Sequence, residues 1–233
     1  GTCKTDAGRD EMQYSPSEAR VKAGGPMPVT QRLRRELKLR HDTVYAQTEA
    51  MDVVIGQLRL SIPVQIVPEP YKDSRINGRQ KTAKAIIDKL DREYPERKFR
   101  TIEEVDEIVR DICAGKIVVD SANQVSEACE ISRESLLWEI CKDEPRRLDS
   151  GFRAHKFDLK VRNTSNHTNV WFEVQIRTLL QDAWDYYQHP VYERVRSGAG
   201  GKEAERQMRW VSEMFFTIDD MIEHCRQEID YGQ

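Results

Sequence analysis

Apolar residues recur at three- or four-residue steps along most of this chain, and at two-residue steps in two neighbouring stretches. Leu33, Leu37, Val44, Met51, Val54 and Leu58 keep the helical step or its multiples behind Thr30, whose hydroxyl suits a helix start. The pattern predicts a helix from Gln31 to about Leu60, ended by Pro63. The short run Val64-Gln65-Ile66-Val67 predicts a strand, with a loop after it as far as Gly78. Helix is expected again from near Gln80 to Glu93, with Ile86, Ile87 and Leu90 inward, and across Glu103–Ile112 behind Thr101. Lys116–Val119 reads as a buried strand, and Ser121 opens a helix through Val125, Ala128 and Ile131.

The two-residue step is clearest near the C-terminal third. Phe157, Leu159 and Val161 alternate with Lys156, Asp158 and Lys160. After a polar loop, Val170, Phe172, Val174 and Ile176 alternate with Trp171, Glu173, Gln175 and Arg177. Alternation on both sides of a turn predicts an antiparallel pair with one apolar and one polar face. Glu173, Gln175 and Arg177 then project from the same side. Helix follows from about Leu179. A long amphipathic helix closes the chain, with Ala204, Met208, Val211, Phe215, Ile218, Ile222, Cys225 and Ile229 facing the core. A coiled-coil seam would need that pattern sustained for longer.

Composition narrows the class. Of the 233 residues 38% are hydrophobic and 33% charged, so a core is possible under a heavily charged surface. A net charge of −3 lacks the positive excess of a general polyanion binder, so DNA is not expected as a partner. No apolar run approaches the ~20 residues of a membrane span. The five cysteines, Cys3, Cys113, Cys129, Cys141 and Cys225, are odd in number and lack C-x-x-C spacing, which predicts reduced thiols. Residues 1–27, with Gly24-Gly25-Pro26, read as a linker or loosely held arm, or a frayed terminus, before a domain over 28–233.

Several groups could carry chemistry, each beside an ordinary alternative. A strand face of carboxylate, amide and guanidinium either meets solvent or meets a polar ligand, because burying it unpaired is costly. Asp111 is expected at a helix end, where the helix dipole disfavours an anion unless a cation is near. Arg75, Arg79, Lys81, Lys84 and Lys89 cluster around a helix start, an arrangement that suits phosphate but also a solvated face. Ser150-Gly151-Phe152 is a turn that presents an aromatic ring, either to a nucleobase or to the core. His41-Asp42 reads as a surface pair.

Four strings stand in order: Gly78-Arg79-Gln80-Lys81 with Lys89, Asp111-Ile112-Cys113-Ala114-Gly115-Lys116, Ser150-Gly151-Phe152-Arg153-Ala154, and Glu173-Val174-Gln175-Ile176-Arg177-Thr178 followed by Ala183-Trp184 and His189. Four in order are far more specific than one. From about residue 74 to about residue 192 the chain resembles the synthetase domain of the RelA/SpoT family, the alarmone synthetases. The resemblance implies an α+β fold of nucleotidyltransferase type: a mixed or antiparallel β-sheet flanked by helices, with N- and C-terminal helices outside it. It implies a Mg2+-dependent transfer of the β,γ-pyrophosphate of ATP to a nucleotide 3′-hydroxyl. Asp111 and Glu173 would be the Mg2+ ligands and catalytic carboxylates, with Glu173 also taking the hydroxyl proton. Arg79 would stack on the donor adenine, Lys81 and Lys89 would hold donor phosphates, and Lys116 would stand where a second adenine-stacking arginine is usual. Phe152 would stack on the acceptor base, Lys156 would lie beside it, and Gln175 and Arg177 would order the polar face.

The departures bear on the acceptor. Phe152 stands in place of the usual Tyr, Lys156 in place of the usual His, and Pro190-Val191-Tyr192 lacks the Asn that helps read guanine. A site that loses polar groups made for one base loses discrimination for it. An adenosine nucleotide is therefore expected as acceptor, giving (p)ppApp. The resemblance extends to toxic members that are secreted into the cytoplasm of target bacteria, and it implies a cognate immunity protein. The alternatives are a cytoplasmic (p)ppGpp synthetase using GDP or GTP, and a nucleotide-binding module without turnover.

Overall fold

The computed structural model describes residues 41–97, 99, 101–148, 151–162, 169–196 and 201–231. The expected arm over 1–27, the start of the first helix and most of the 163–169 loop lie outside them. The described elements are α1 (His41–Ser61), a 3-10 turn (Glu69–Tyr71), α2 (Lys72–Arg75), β1 (Ile76–Gln80), α3 (Ala83–Glu93), α4 (Ile102–Ile108), β2 (Cys113–Val119), α5 (Ala122–Arg133), β3 (Trp138–Arg147), β4 (Arg153–Arg162), β5 (Asn169–Thr178), α6 (Leu179–Arg196) and α7 (Lys202–Tyr231). The strands form one mixed sheet in the order β1-β2-β5-β4-β3, with β2 and β5 parallel and the other pairs antiparallel. The expected α+β class and the β4–β5 antiparallel pair are as the sequence predicts. Among the described residues no helix is long and apolar enough to cross a membrane.

Local chemistry sets several boundaries. Thr101 and Ser121 accept hydrogen bonds from Glu104 N and Gln124 N and cap α4 and α5. Thr82 does the same for α3, so that helix begins at Ala83 rather than near Gln80. The 76–80 stretch is instead the edge strand β1, where a loop was expected. Val64–Val67 is not a strand. The Pro63 carbonyl accepts from both Ile66 N and Val67 N at 3.0 Å, closing a turn. Ile66 and Val67 are apolar because they fill the core, at 3% and 0% exposure, not because they pair. Helix α4 stops at Ile108, and Val109 and Ile112 pack beyond it into a small core with Ile86, Leu90, Phe99 and Val105. β3, for which the sequence reading gave no strand, carries Lys142, Asp143, Glu144 and Pro145 on the far edge.

One face of the sheet is the core. Phe157, Leu159, Phe172, Val174, Ile176, Cys113 and Ile117 pack with Val54 and Leu58 of α1, Ile62 just after it, and Ala128 and Cys129 of α5. Helix α1 comes so close that a Cβ on Gly115 would lie 2.8 Å from Ile55 Cδ1, and one on Gly78 would lie 2.8 Å from Met51. Free Cys113 and Cys129 belong to this core, and burial pushes both thiols up to about 12, which leaves them inert.

Helix α7 keeps its expected orientation only in part: Met208 is buried and Ala204, Val211, Phe215 and Ile222 are half-buried as expected, but Ile218, Cys225 and Ile229 are exposed. Ile218 and Ile229 are 44% and 63% exposed. The line turned inward is Met208, Ser212 and Asp219. It is partly polar because it bonds the sheet end: Ser212 Oγ donates to Gly151 O, and Thr178 Oγ1 donates to Asp219 Oδ2, both at 2.6 Å.

Candidate active site

The face opposite the core is polar, and strand register arranges it in rows. Arg79, Ala114, Glu173, Asp158 and Lys142 lie across β1, β2, β5, β4 and β3. Asn77, Lys116, Gln175, Lys156 and Glu144 form the next row. Register partners on one face sit about 5 Å apart, so each row is a line of side chains in mutual reach. The small Ala114 stands between exposed Arg79 and buried Glu173.

Asp111 lies just ahead of β2, in the turn after α4. Lys81 extends the β1–β2 ladder through its N–H to Ile112 O at 2.8 Å. Its ammonium donates to Asp111 Oδ2 at 2.6 Å and to Asp111 O at 2.9 Å. Lys89, on α3, donates to Asp111 Oδ1 at 2.8 Å. Burial would raise the Asp111 carboxyl, but the two lysines outweigh it and hold the group well below its ordinary range. Burial lowers Lys81, against the pull of Asp111, and Arg79 and Lys89 add to the effect. The cation that Asp111 needs is thus supplied by lysines.

Glu173 is 3% exposed, an unusual burial for a carboxylate. Lys156 Nζ lies 2.8 Å from its Oε2, and Gln175 Nε2 donates to its Oε1. Asp111, two residues ahead of β2, and Glu173, paired with Ala114, stand toward the same end of the β2–β5 pair; Asp111 is held by Lys81 and Lys89, and Glu173 by Lys156.

Arg177 is pinned to α6: its Nη2 lies 2.8 Å from Asp182 Oδ1 and its Nη1 2.7 Å from Asp185 Oδ2. Lys116 Nζ donates to both oxygens of Asp182, at 2.9 and 2.8 Å, so its ammonium is directed at α6 rather than at the Arg79 rim. Phe152 is 6% exposed, with the Arg177 guanidinium 5.7 Å from its ring centroid, so the ring is covered rather than presented. Gly151 before it has φ +85°, and a Cβ there would lie 2.2 Å from Ser212. Only glycine fits that turn.

Three acidic residues of the site were not singled out from the sequence. Asp158 is 4% exposed, opposite Glu173, with Lys156 Nζ 3.0 Å away. The alternation of 156–160 already places it on the polar face. Asp182 and Asp185 stand one turn apart on the helix after the Glu173 string, the spacing at which two side chains share a face.

Among the described residues no group of three or more His, Cys, Asp and Glu could hold a metal ion by itself. Mg2+ typically takes one or two carboxylates and completes its shell with phosphate oxygens and water. Asp111 and Glu173 are the two carboxylates that would meet such an ion, each now paired with lysine.

The mixed five-stranded sheet with flanking helices is the fold of the small alarmone synthetases. Residues 78–194 match the family model "Region found in RelA / SpoT proteins", and the chain belongs to the RelA/SpoT family. Small alarmone synthetase 1 from Bacillus subtilis superposes with a TM-score of 0.67 at 16% identity, covering 81% of this chain and 96% of that one. The same protein bound to its product pppGpp gives 0.65 at 18%, covering 79% and 94%. A GTP pyrophosphokinase family protein from Streptococcus pneumoniae gives 0.61 at 18%, covering 79% and 93%. No curated protein sequence matches the chain.

Proposed function

We propose that the protein moves the β,γ-pyrophosphate of ATP onto the 3′-hydroxyl of an adenosine nucleotide, giving (p)ppApp and AMP. One observation supports the transfer chemistry: Asp111, held by Lys81 and Lys89, stands just ahead of β2, and buried Glu173, held by Lys156, pairs with Ala114 near that same end of β2, with Arg79 across Ala114 on β1. The acceptor 3′-oxygen attacks the β-phosphorus in line, its new P–O bond forming as the bond from the β-phosphorus to the α,β-bridging oxygen breaks. AMP leaves, and the hydroxyl proton passes to the Glu173 carboxylate. Lys81 and Lys89 turn from Asp111 to the donor phosphates, and Arg79, exposed on the edge strand, meets the adenine. Asp111 and Glu173 would hold Mg2+, which would supply charge neutralisation on the transferring group.

The adenosine preference rests on the departures from the family's usual residues: Lys156 stands in place of a His, and Pro190-Val191-Tyr192 lacks the Asn that helps read guanine. A (p)ppGpp synthetase is the second reading, favoured by the likeness to a synthetase solved with pppGpp. Incubation with Mg-ATP alone, then with GDP added, separates them: product from ATP alone, unaffected by GDP, supports adenosine, and product only with GDP removes it. Consumption of adenylate also underlies reading the protein as an antibacterial effector delivered into a target cell and countered by an immunity protein. Growth arrest of a bacterial host by the wild type but not by Glu173→Gln tests that part.

A further inference from the structure

The register that builds the polar face puts two buried carboxylates, Asp158 and Glu173, directly opposite each other on β4 and β5. Like charges in that position destabilise a sheet, and buried ones more so. Lys156 stands one row away, on the diagonal, and a lysine is long enough to reach across it. Its ammonium lies 2.8 Å from Glu173 Oε2 and 3.0 Å from Asp158 Oδ1. The Gln175 amide donates to the other Glu173 oxygen, and Arg110 stands 3.9 Å from the other Asp158 oxygen.

We infer that Lys156 is a resident cation holding the place of a divalent ion at Glu173 in the nucleotide-free protein, with Asp158 as the carboxylate that keeps the ammonium once Glu173 is taken. Glu173 shares its one ammonium with Asp158, which also has Arg110 at 3.9 Å, so Glu173 is left short of full neutralisation, which is the condition for exchange. Asp158 then has a purpose that the transfer chemistry alone does not give it. It lets Lys156 release Glu173 without becoming a buried charge with no counter-ion. With its ammonium 2.8 Å from Glu173 Oε2, Lys156 is a positioning residue for Glu173, and a divalent ion is admitted there only in competition with it.

The inference rests on Glu173 being a metal carboxylate, and its test uses no nucleotide and no turnover. A failure here therefore leaves the transfer reading standing, and a failed transfer assay leaves this result readable. Mn2+ is titrated into the full chain, with free Mn2+ read by electron paramagnetic resonance and Tm by thermal unfolding. The wild type is expected to show no Mn2+-dependent change in Tm. Lys156→Met, which uncovers the carboxylate pair, is expected to bind Mn2+ at least tenfold more tightly. Its Tm should rise by about 3 °C once Mn2+ is about ten times its Kd. Lys156→Arg, which restores the charge, should behave as wild type, and Lys156→Met combined with Asp158→Asn should lose the gain. Lys156→Gln runs in parallel, because its amide still bridges the carboxylates if methionine prevents folding. A Met or Gln variant no more responsive to Mn2+ than the wild type, or a wild type that itself binds Mn2+ tightly, overturns the assignment.

Discussion

Replacing Asp111 by Asn removes one negative charge from between two lysines and alters little else in size. The side chains of Asp111, Lys81 and Lys89 are 19%, 15% and 20% exposed, so the cluster is shielded but not dry. Breaking a fully buried pair costs about 3–5 kcal/mol, and partial solvent access scales that down to about 2 kcal/mol here. The pH dependence is the sharper test. The Asp111 carboxyl titrates below its ordinary value of 3.8 in the folded protein. Its contribution is therefore complete above the unfolded value and is lost as pH falls towards the folded one. Urea unfolding of wild type and Asp111→Asn should show a constant gap from about pH 5 to about pH 8, narrowing by about 1 kcal/mol by about pH 3. A gap below about 0.5 kcal/mol at neutral pH, or one that stays flat into acid, would refute the clamp.

Glu173→Gln keeps size and hydrogen bonding but removes the group that takes the hydroxyl proton, so AMP release should fall by about 10²–10⁴-fold while the protein remains folded. Activity within tenfold of wild type would move the base elsewhere. Gly151→Ala should lower stability by about 1–3 kcal/mol, since it forces a side chain onto positive φ and into Ser212. Adding Ser212→Gly should recover part of that loss in the same unfolding experiment, and no recovery would mean that φ alone carries the cost.

Where one residue's pattern suffices, the sequence is readable. β4 and β5 alternate cleanly, and Thr101 and Ser121 are hydroxyls just ahead of apolar helical periods. β1 is different: Ile-Asn-Gly-Arg-Gln has one buried residue, and its strand state comes from backbone pairing with β2. β3 is a charged edge with Pro145, a composition that guards an exposed strand and hides it from pattern reading. The shared side of Glu173, Gln175 and Arg177 follows from period two alone. The lysine partner of each carboxylate, the covering of Phe152 and the pairing of Lys116 with Asp182 do not, because each joins elements distant in sequence.

The choice of cation separates the fixed parts of the site from the exchangeable ones. Arg177 spans Asp182 and Asp185 with separate nitrogens of one planar group, a geometry that holds β5 to α6. Asp111 and Glu173 are instead met by lysines 81, 89 and 156, compact charges on flexible stems. A polyphosphate draws Lys81 and Lys89 away from Asp111 only at the expense of leaving that carboxylate partly buried and uncompensated. A divalent ion arriving with the phosphates would remove that penalty at Asp111 and, on the inference above, would compete with Lys156 at Glu173. Under the proposed transfer, nucleotide and cation are therefore coupled ligands: each should bind more weakly alone than in the presence of the other, and by the same factor.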